Sequence, residues 1–277
     1  MNNLIEELYT EIDLEVFSDC EHAAHGVTSC PKCCSRQYFN ENEINYSCEQ
    51  KMKLYIIRYL PVHASEIRYS LGILRINAEV NGILSQDNLN VLSIGGGPGS
   101  DIIGFREVHR SIHNRRARLE EEPYAANVNY LKVEVNDDWN ALFDRVINTA
   151  VDDQVGHVNE NYDCIYWDAT SIDLDIDRQD VILLSYIVSE LTDDEAILLA
   201  NNIQRWSDEN TIIIVNDRSQ EEVTNRVNLM FEILNAQDAG EFESTGWAGF
   251  VYPDEIRDSC EVKLNRSSMV SYSVGCQ

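Results

Sequence analysis

The spacing of apolar residues divides the chain into a helical first part and a second part in which strands alternate with helices. Apolar residues recur at helical spacing in residues 2 to 17 and 49 to 60, and a third stripe continues to about residue 77. Pro61 follows the second stripe, and because proline lacks a backbone N–H, we expect it to interrupt or end that helix. Residues 1 to 85 therefore predict an all-helical segment.

From about residue 90 the apolar runs become short and continuous, which is typical of strands buried on both faces of a parallel sheet. The four clearest runs are VLSI at residues 91 to 94, DCIYW at 163 to 167, DVILLSY at 180 to 186 and TIIIV at 211 to 215. A helix between two of them is predicted to begin with a capping box formed by Thr192 and Glu195. This alternation predicts a doubly wound α/β domain over residues 86 to 277.

The end of the chain predicts an antiparallel pair of strands. GWAGFVY, which begins at Gly246, and VKLNRSSMVSYSV, at residues 262 to 274, are separated by a polar stretch. We expect the two runs to form a hairpin that closes the sheet.

A glycine-rich turn follows the first predicted strand. The stretch VLSIGGGPGSDIIGF, at residues 91 to 105, contains Gly95, Gly96, Gly97 and Gly99. Glycine lets a ligand approach the backbone, and the free amides at the start of the next helix, near Asp101, favour a negative group. The dinucleotide fingerprint needs glycines at offsets 0, 2 and 5, whereas this turn has offsets 0, 2 and 4.

This turn resembles motif I of the class I S-adenosylmethionine-dependent methyltransferases. The resemblance implies a Rossmann-like, mostly parallel, seven-stranded sheet with an antiparallel C-terminal hairpin, and it implies that the four glycines and Asp101 bind S-adenosylmethionine. The family usually has an acidic residue two positions before the first glycine, where this chain has Ser93.

Two later strand ends also match the family, in the family's order. Its second strand ends in an acid that binds the ribose, which implies Glu134, with Asp137 as the second choice; solvated acids that follow a strand explain either residue equally well. An acid and a small residue after its third strand contact the adenine, which implies Asp168 and Ala169. A carboxylate suits the exocyclic amine because it accepts a hydrogen bond.

The fourth strand resembles motif IV of the family, whose last residues line the methyl-transfer site. Here those residues are Ser185 and Tyr186. No Asn/Asp-Pro-Pro-Tyr stretch follows them, which argues against the enzymes that methylate amino groups of DNA and of glutamine. Motif IV therefore does not indicate which substrate is methylated.

A cluster of cysteines and histidines lies between residues 20 and 48. Cys30 and Cys33 have the C-x-x-C spacing that lets two thiolates bind one tetrahedral zinc ion, and Cys20 or His25 could complete the set. A second C-x-x-C pair is absent, so free thiols and a redox pair stay open as alternatives. A zinc ion here would be structural.

Charge narrows the choice of partner. The 277 residues include 21 basic and 48 acidic ones, a formal net charge of −27, and such a field repels phosphate backbones and attracts cations. We therefore expect a small-molecule or protein methyl acceptor, uncharged or cationic, and no nucleic acid. No apolar run of membrane length and no targeting segment is seen, which predicts no membrane partner and a reducing, cytoplasmic location.

These observations predict S-adenosylmethionine-dependent methyl transfer. One alternative is a dinucleotide-dependent oxidoreductase, which the glycine offsets disfavour. The other is a non-catalytic, methyltransferase-like binding module that docks a partner through its cysteine-rich N-terminal segment. Arg58 is a candidate partner of the cofactor's carboxylate and His63 a candidate base, although both residues also suit structural roles.

Overall fold

The computed structural model describes residues 1–13, 29–36, 46–119, 125–149, 158–249 and 251–276. The helices in this part of the chain are α1 (Asn2–Glu11), α2 (Cys30–Arg36), α3 (Glu49–Leu74), α4 (Ala78–Leu84), α5 (Ser100–Ala117), α6 (Asn140–Thr149), α7 (Asp193–Trp206), α8 (Glu221–Ile233) and α9 (Asp254–Cys260). The strands are β1 (Asn88–Ile94), β2 (Ala126–Glu134), β3 (Val158–Tyr166), β4 (Val181–Ser185), β5 (Ile212–Asp217), β6 (Gly240–Trp247) and β7 (Asn265–Val274).

The strands form one sheet in the order β3-β2-β1-β4-β5-β7-β6. The first five strands pair in parallel, whereas β7 runs antiparallel to both β5 and β6. The mostly parallel sheet with a reversed ending is confirmed, as is the capping box of α7. Because Asp217, the last residue of β5, pairs with Met269, the start of β7 reaches the edge at which the parallel strands end.

The final pair of strands differs from the prediction at its first member. β6 occupies Gly240–Trp247 and ends where the predicted strand begins, and α9 lies between β6 and β7. The segment GEFESTGW was missed because it is mostly polar, with Ser244 and Gly246 buried on one face while the residues between them are exposed. This edge strand therefore has alternation without an apolar run.

Helix α3 is continuous through Pro61, so the expected interruption was wrong. Proline at this position leaves the carbonyl of Ile57 without its usual N–H donor one turn later. The phenol of Tyr252 donates a hydrogen bond to that carbonyl at 2.8 Å, and the amide of Lys263 donates to the carbonyl of Arg58 at 3.2 Å. Donors from the C-terminal region thus replace the one that proline lacks.

The N-terminal helices and one face of the sheet share a hydrophobic core. Ile56, Ile67 and Leu71 of α3 belong to the same buried cluster as Phe105 of α5 and Val270 of β7. The described part of residues 1 to 85 is helical, as expected, and the division into residues 1–85 and 86–277 stays a prediction. No helix among the described residues combines the length and the apolar character needed to cross a membrane.

The replacement of the missing donor at Pro61 can be tested with a double-mutant cycle. Tyr252→Phe should lower the free energy of unfolding by about 1 to 3 kcal/mol, because it leaves the Ile57 carbonyl buried without a partner. In a Pro61→Ala background the same substitution should cost clearly less, since alanine at that position supplies the missing N–H. Urea unfolding measures both differences, and an equal cost in the two backgrounds would contradict this account.

Candidate functional site

A cleft of about 880 Å³ opens at the edge of the sheet where the parallel strands end. Its walls come from the glycine turn after β1, the ends of β2 and β4, the start of β7 and one face of α3. The predicted site residues that line it are Gly95, Gly96, Gly97, Asp101, Glu134, Ser185 and Tyr186. Gly99 lies just behind this surface as the N-cap of α5, where an added Cβ would lie 2.7 Å from the ring of Phe143.

The glycine turn is bonded to the end of β2. Gly97 has a positive φ of 47°, and its N–H donates a hydrogen bond to Glu134 Oε2 at 2.9 Å. The other carboxylate oxygen of Glu134 accepts from the amide of Asn136 at 3.1 Å. A Cβ on Gly96 would collide with Ser93 Oγ, so the turn has no room for a side chain there. Glu134 therefore lies at the cleft, as predicted, and also fixes the shape of the turn.

A buried carboxylate supports the turn from below. Asp101 Oδ2 accepts a hydrogen bond from Ser93 Oγ at 2.6 Å, and its Oδ1 accepts from the amide of Ile102 at 2.8 Å. Burial raises the pKa of Asp101 to about 6. A carboxylate from the first turn of α5 thus lies against Ser93, the residue that stands where the family usually has an acid.

Lys132, which the sequence analysis did not single out, is fully buried beneath the same turn. Its ammonium group donates to the Gly97 carbonyl at 3.1 Å and lies 4.0 Å from the centre of the Phe143 ring. Burial lowers the pKa of Lys132. The negative charges of Asp101 and Glu134 act to raise the same pKa, and the three side chains lie together beneath the glycine turn.

The residues after β3 lie away from the cleft lining. Asp168 is exposed, and its Oδ1 accepts hydrogen bonds from the amide and hydroxyl of Thr170 at 2.8 and 2.7 Å. The Ala169 carbonyl accepts from Asn202 at 2.7 Å. These contacts stabilise the turn, and the assignment of Asp168 and Ala169 to the adenine stays a prediction.

Tyr186 links the end of β4 to α3. Its φ of 58° is unusual for a residue with a large side chain, and its hydroxyl donates to the carboxylate of Glu66 at 2.9 and 3.0 Å. Glu66 is fully buried, and this burial raises its pKa to about 7. Hydrogen bonds thus hold a backbone conformation of low intrinsic stability at the centre of the cleft.

Two further cleft residues contain polar atoms that lack hydrogen-bond partners. The imidazole of His63 stacks on the Tyr186 ring with 4.5 Å between the ring centres, and burial lowers its pKa well below the usual value, so the ring is neutral. His63 Nε2 and Ser185 Oγ are buried and form no hydrogen bond with any residue that the structure describes. A polar occupant of the cleft would supply such partners.

Arg58 has the structural role that the sequence left open, and a different arginine lines the cleft. Arg58 is fully buried outside the cleft lining, and it donates to the Pro31 carbonyl and to Ser35 Oγ, both at 2.9 Å, so that it ties α2 to α3. Arg266, which was not singled out, lines the cleft with its guanidinium carbon 4.1 Å from the centre of the Tyr186 ring.

The cysteine cluster is described in part. Cys30 and Cys33 are buried on α2, whereas Cys20 and His25 lie outside the described residues. Within the described ranges no group of three or more His, Cys, Asp or Glu side chains could hold a metal ion. The described residues therefore do not support the expected zinc site.

Comparisons with known proteins identify the fold. No protein-family model matches the chain, and no curated protein matches its sequence. A putative S-adenosylmethionine-dependent methyltransferase from Methanococcus maripaludis is 10% identical, with a TM-score of 0.50 over 86% of this chain and 97% of that one. The chain has the class I methyltransferase fold. A precorrin-6y C5,15-methyltransferase from Geobacter metallireducens is 14% identical, with a TM-score of 0.42 over 72% of this chain and 88% of that one.

The methyltransferase fold explains which of the cleft residues the sequence could indicate. The glycine turn follows β1 and Glu134 ends β2, so the resemblance to the family's motifs could indicate both from the sequence. Lys132 lies within the alternating sequence of β2, and Glu66 lies one helical turn after His63 on α3. Their burial depends on packing between distant segments, and a periodic pattern does not predict it.

The raised pKa of Glu66 predicts a pH dependence of stability. The native state binds this proton more tightly than the unfolded chain, whose carboxyl pKa is near 4.5, so the contribution is complete below that pH and is lost as the pH rises to about 7. Glu66→Gln removes this titration. Between about pH 5 and 7.5 the variant should therefore lose less stability than the wild type, by up to about 3 kcal/mol.

Urea unfolding at several pH values measures this difference. Asp101→Asn is the comparison variant, since it removes a second buried carboxyl whose pKa burial raises, to about 6, and leaves the titration of Glu66 in place. Identical pH profiles for the wild type and Glu66→Gln would show that Glu66 is already ionised in the native state at about pH 5 and that its pKa is not raised.

Proposed function

We propose that the protein transfers a methyl group from S-adenosylmethionine to a small-molecule or protein acceptor. The observation on which the proposal rests is the glycine turn held against Glu134 in a cleft that continues to Ser185 and Tyr186. The cleft is large enough for a ligand of nucleoside size together with a small acceptor. The class I fold supports S-adenosylmethionine as the cofactor, whereas the proposed class of acceptor is based only on the residues of the cleft.

Glu134 suits the ribose of the cofactor. Each carboxylate oxygen can accept two hydrogen bonds, and the amides of Gly97 and Asn136 each use one of these positions. The remaining positions can accept from a pair of vicinal hydroxyls. Glu134 would then hold the turn and the ligand together, so that an ordered turn and a bound ribose support each other.

Acidic and aromatic residues in the cleft suit a sulfonium cation. Asp101 and Glu134 supply negative charge near the turn, and the rings of Tyr55 and Trp139 line the same space. Aromatic faces attract cations, and a positively charged sulfur is such a cation. These features favour S-adenosylmethionine over its neutral thioether product.

The cofactor supplies an already activated methyl group, so the protein needs to orient the acceptor and exclude water. Tyr186 is suited to this role because Glu66 fixes its hydroxyl and His63 packs on its ring. The walls from α3 cover the ends of β1 and β4. No strong base is needed for such a transfer, and we assign none.

Calorimetric titration with S-adenosylhomocysteine tests the cofactor site. The wild type should bind this ligand and S-adenosylmethionine, and should not bind NAD. Glu134→Ala should weaken binding by about 10- to 100-fold, the usual effect of losing a charged hydrogen-bond partner.

Asp137→Ala is the matched control, since Asp137 is an exposed acid three residues further on. It should leave affinity unchanged. Binding of NAD alone would favour an oxidoreductase, and binding without transfer to any acceptor in a screen with labelled cofactor would favour the non-catalytic module. If Asp137→Ala weakened binding and Glu134→Ala did not, the ribose contact would be assigned to Asp137.

The proposed adenine contact has its own test. Asp168→Ala should weaken binding of S-adenosylhomocysteine by about 1 to 3 kcal/mol, because the carboxylate would no longer accept from the exocyclic amine. S-inosylhomocysteine lacks that amine, so its affinity should be the same for the variant and the wild type. If Asp168→Ala weakened the binding of both ligands equally, we would conclude that Asp168 only stabilises its own turn through Thr170.

A further inference from the structure

Arg266 lies inside the cleft and has no ionic partner among the residues that the structure describes. Its guanidinium contacts the rings of Tyr186 and Tyr59, at 4.1 and 5.8 Å from their centres, but forms no ion pair or hydrogen bond with any described residue. The chain has 48 acidic residues and only 21 basic ones, so carboxylates are abundant. A half-buried arginine whose five N–H donors meet no acceptor in the described ranges is therefore a position to which an external acceptor can bind.

The charges around Arg266 leave an excess of positive charge. Lys263 lines the same end of the cleft, and Arg218 is paired with Glu190 at 3.1 Å. Glu66 lies beneath Tyr186, where burial raises its pKa to about 7, so it is only partly ionised at neutral pH. The other groups that face Arg266 are the phenols of Tyr55, Tyr59 and Tyr186, which are neutral.

The shape of the group selects the kind of anion. A guanidinium is planar and presents its donors in a fork that matches the two oxygens of a carboxylate or phosphate. Contact with Tyr186 restricts the side chain before a ligand arrives, which reduces the entropy lost on binding. The aromatic residues Tyr55, Tyr59 and His63 line the adjoining wall and suit an apolar or aromatic body attached to the anion.

We propose that Arg266 binds the oxyanion, a carboxylate or a phosphate, of a small-molecule methyl acceptor, and that the end of the cleft between α3, Tyr186 and the start of β7 is the acceptor subsite. This inference rests on the proposed function, because Tyr186 marks the methyl-transfer position only if the cleft binds S-adenosylmethionine.

The oxyanion anchors the acceptor and is not the atom that becomes methylated. An oxygen bonded to a guanidinium is a poorer nucleophile, since its lone pairs are engaged by the cation. A second heteroatom of the acceptor attacks the methyl carbon; the bond from carbon to the new atom forms as the carbon–sulfur bond breaks. The thioether leaves with the bonding electron pair, and the proton of the attacking atom passes to water.

Binding of simple probes to the protein saturated with S-adenosylhomocysteine tests the subsite. Benzoate and phenyl phosphate supply the two oxyanions on an aromatic ring, and benzamide is the neutral counterpart. In the wild type both anions should bind at least about tenfold more tightly than benzamide. Arg266→Gln should weaken the anions by about 10- to 100-fold and leave benzamide unchanged.

Two further variants complete the experiment. Arg266→Lys keeps the charge without the fork and should give intermediate affinities. Arg178→Gln is the control, since Arg178 is exposed near the start of β4 at the opposite edge of the sheet, and it should leave all affinities unchanged.

Several results would overturn the subsite. They are equal binding of benzoate and benzamide, no binding of either anion at millimolar concentration, and anion affinities unaffected by Arg266→Gln. Loss of S-adenosylhomocysteine binding in Arg266→Gln would assign the residue to the cofactor's own carboxylate. Failure of the wild type to bind S-adenosylhomocysteine would contradict the proposed function instead, and titration of the probes without that ligand would still test the anion site.

Discussion

The close approach of α3 to the rest of the molecule is the constraint on which the cleft depends. At Gly104 of α5, an added Cβ would collide with the Ala64 carbonyl oxygen of α3, and at Gly246 of β6 it would lie 2.5 Å from Cγ of Glu66. Only glycine lets the backbones come this near. The approach brings His63 and Glu66 over the ends of the parallel strands, where Tyr186 can bond to Glu66. Without it the cleft would lack one wall.

The arrangement of strands could be predicted from the sequence because its signals are local. Continuous apolar runs, a capping box and glycine spacing each depend on a few neighbouring residues, and they predicted the parallel strands and the glycine turn, whereas Glu134 was implied by the resemblance to the family. The continuity of α3 could not be predicted, since the donor to the Ile57 carbonyl is Tyr252, 195 residues away. Arg266 was missed for a related reason: its place in the cleft, with no acceptor in the described part of the chain, is set by packing between distant segments.

The glycine turn is supported by charged and polar side chains from several elements. Ser93 stands where the family usually has an acid, and its hydroxyl donates a 2.6 Å hydrogen bond to the buried carboxylate of Asp101. Lys132 and Glu134 then fix the turn from the neighbouring strand through the carbonyl and the amide of Gly97. A departure from a sequence pattern is therefore weak evidence against a site until the side chains around it are known.

The net charge of −27 and the positive end of the cleft act over different distances. At physiological salt, charges more than about 8 Å apart in water are largely screened, so the acidic surface acts mainly on large, extended partners that meet many of its groups at once. A small ligand inside the cleft responds to the groups in contact with it, and at this end these include Arg266 and Lys263. The expectation of an uncharged or cationic acceptor followed from the whole chain, whereas binding in a half-buried cleft depends on local charges. An expected repulsion of polyanions such as RNA is therefore compatible with the proposed binding of a small carboxylate.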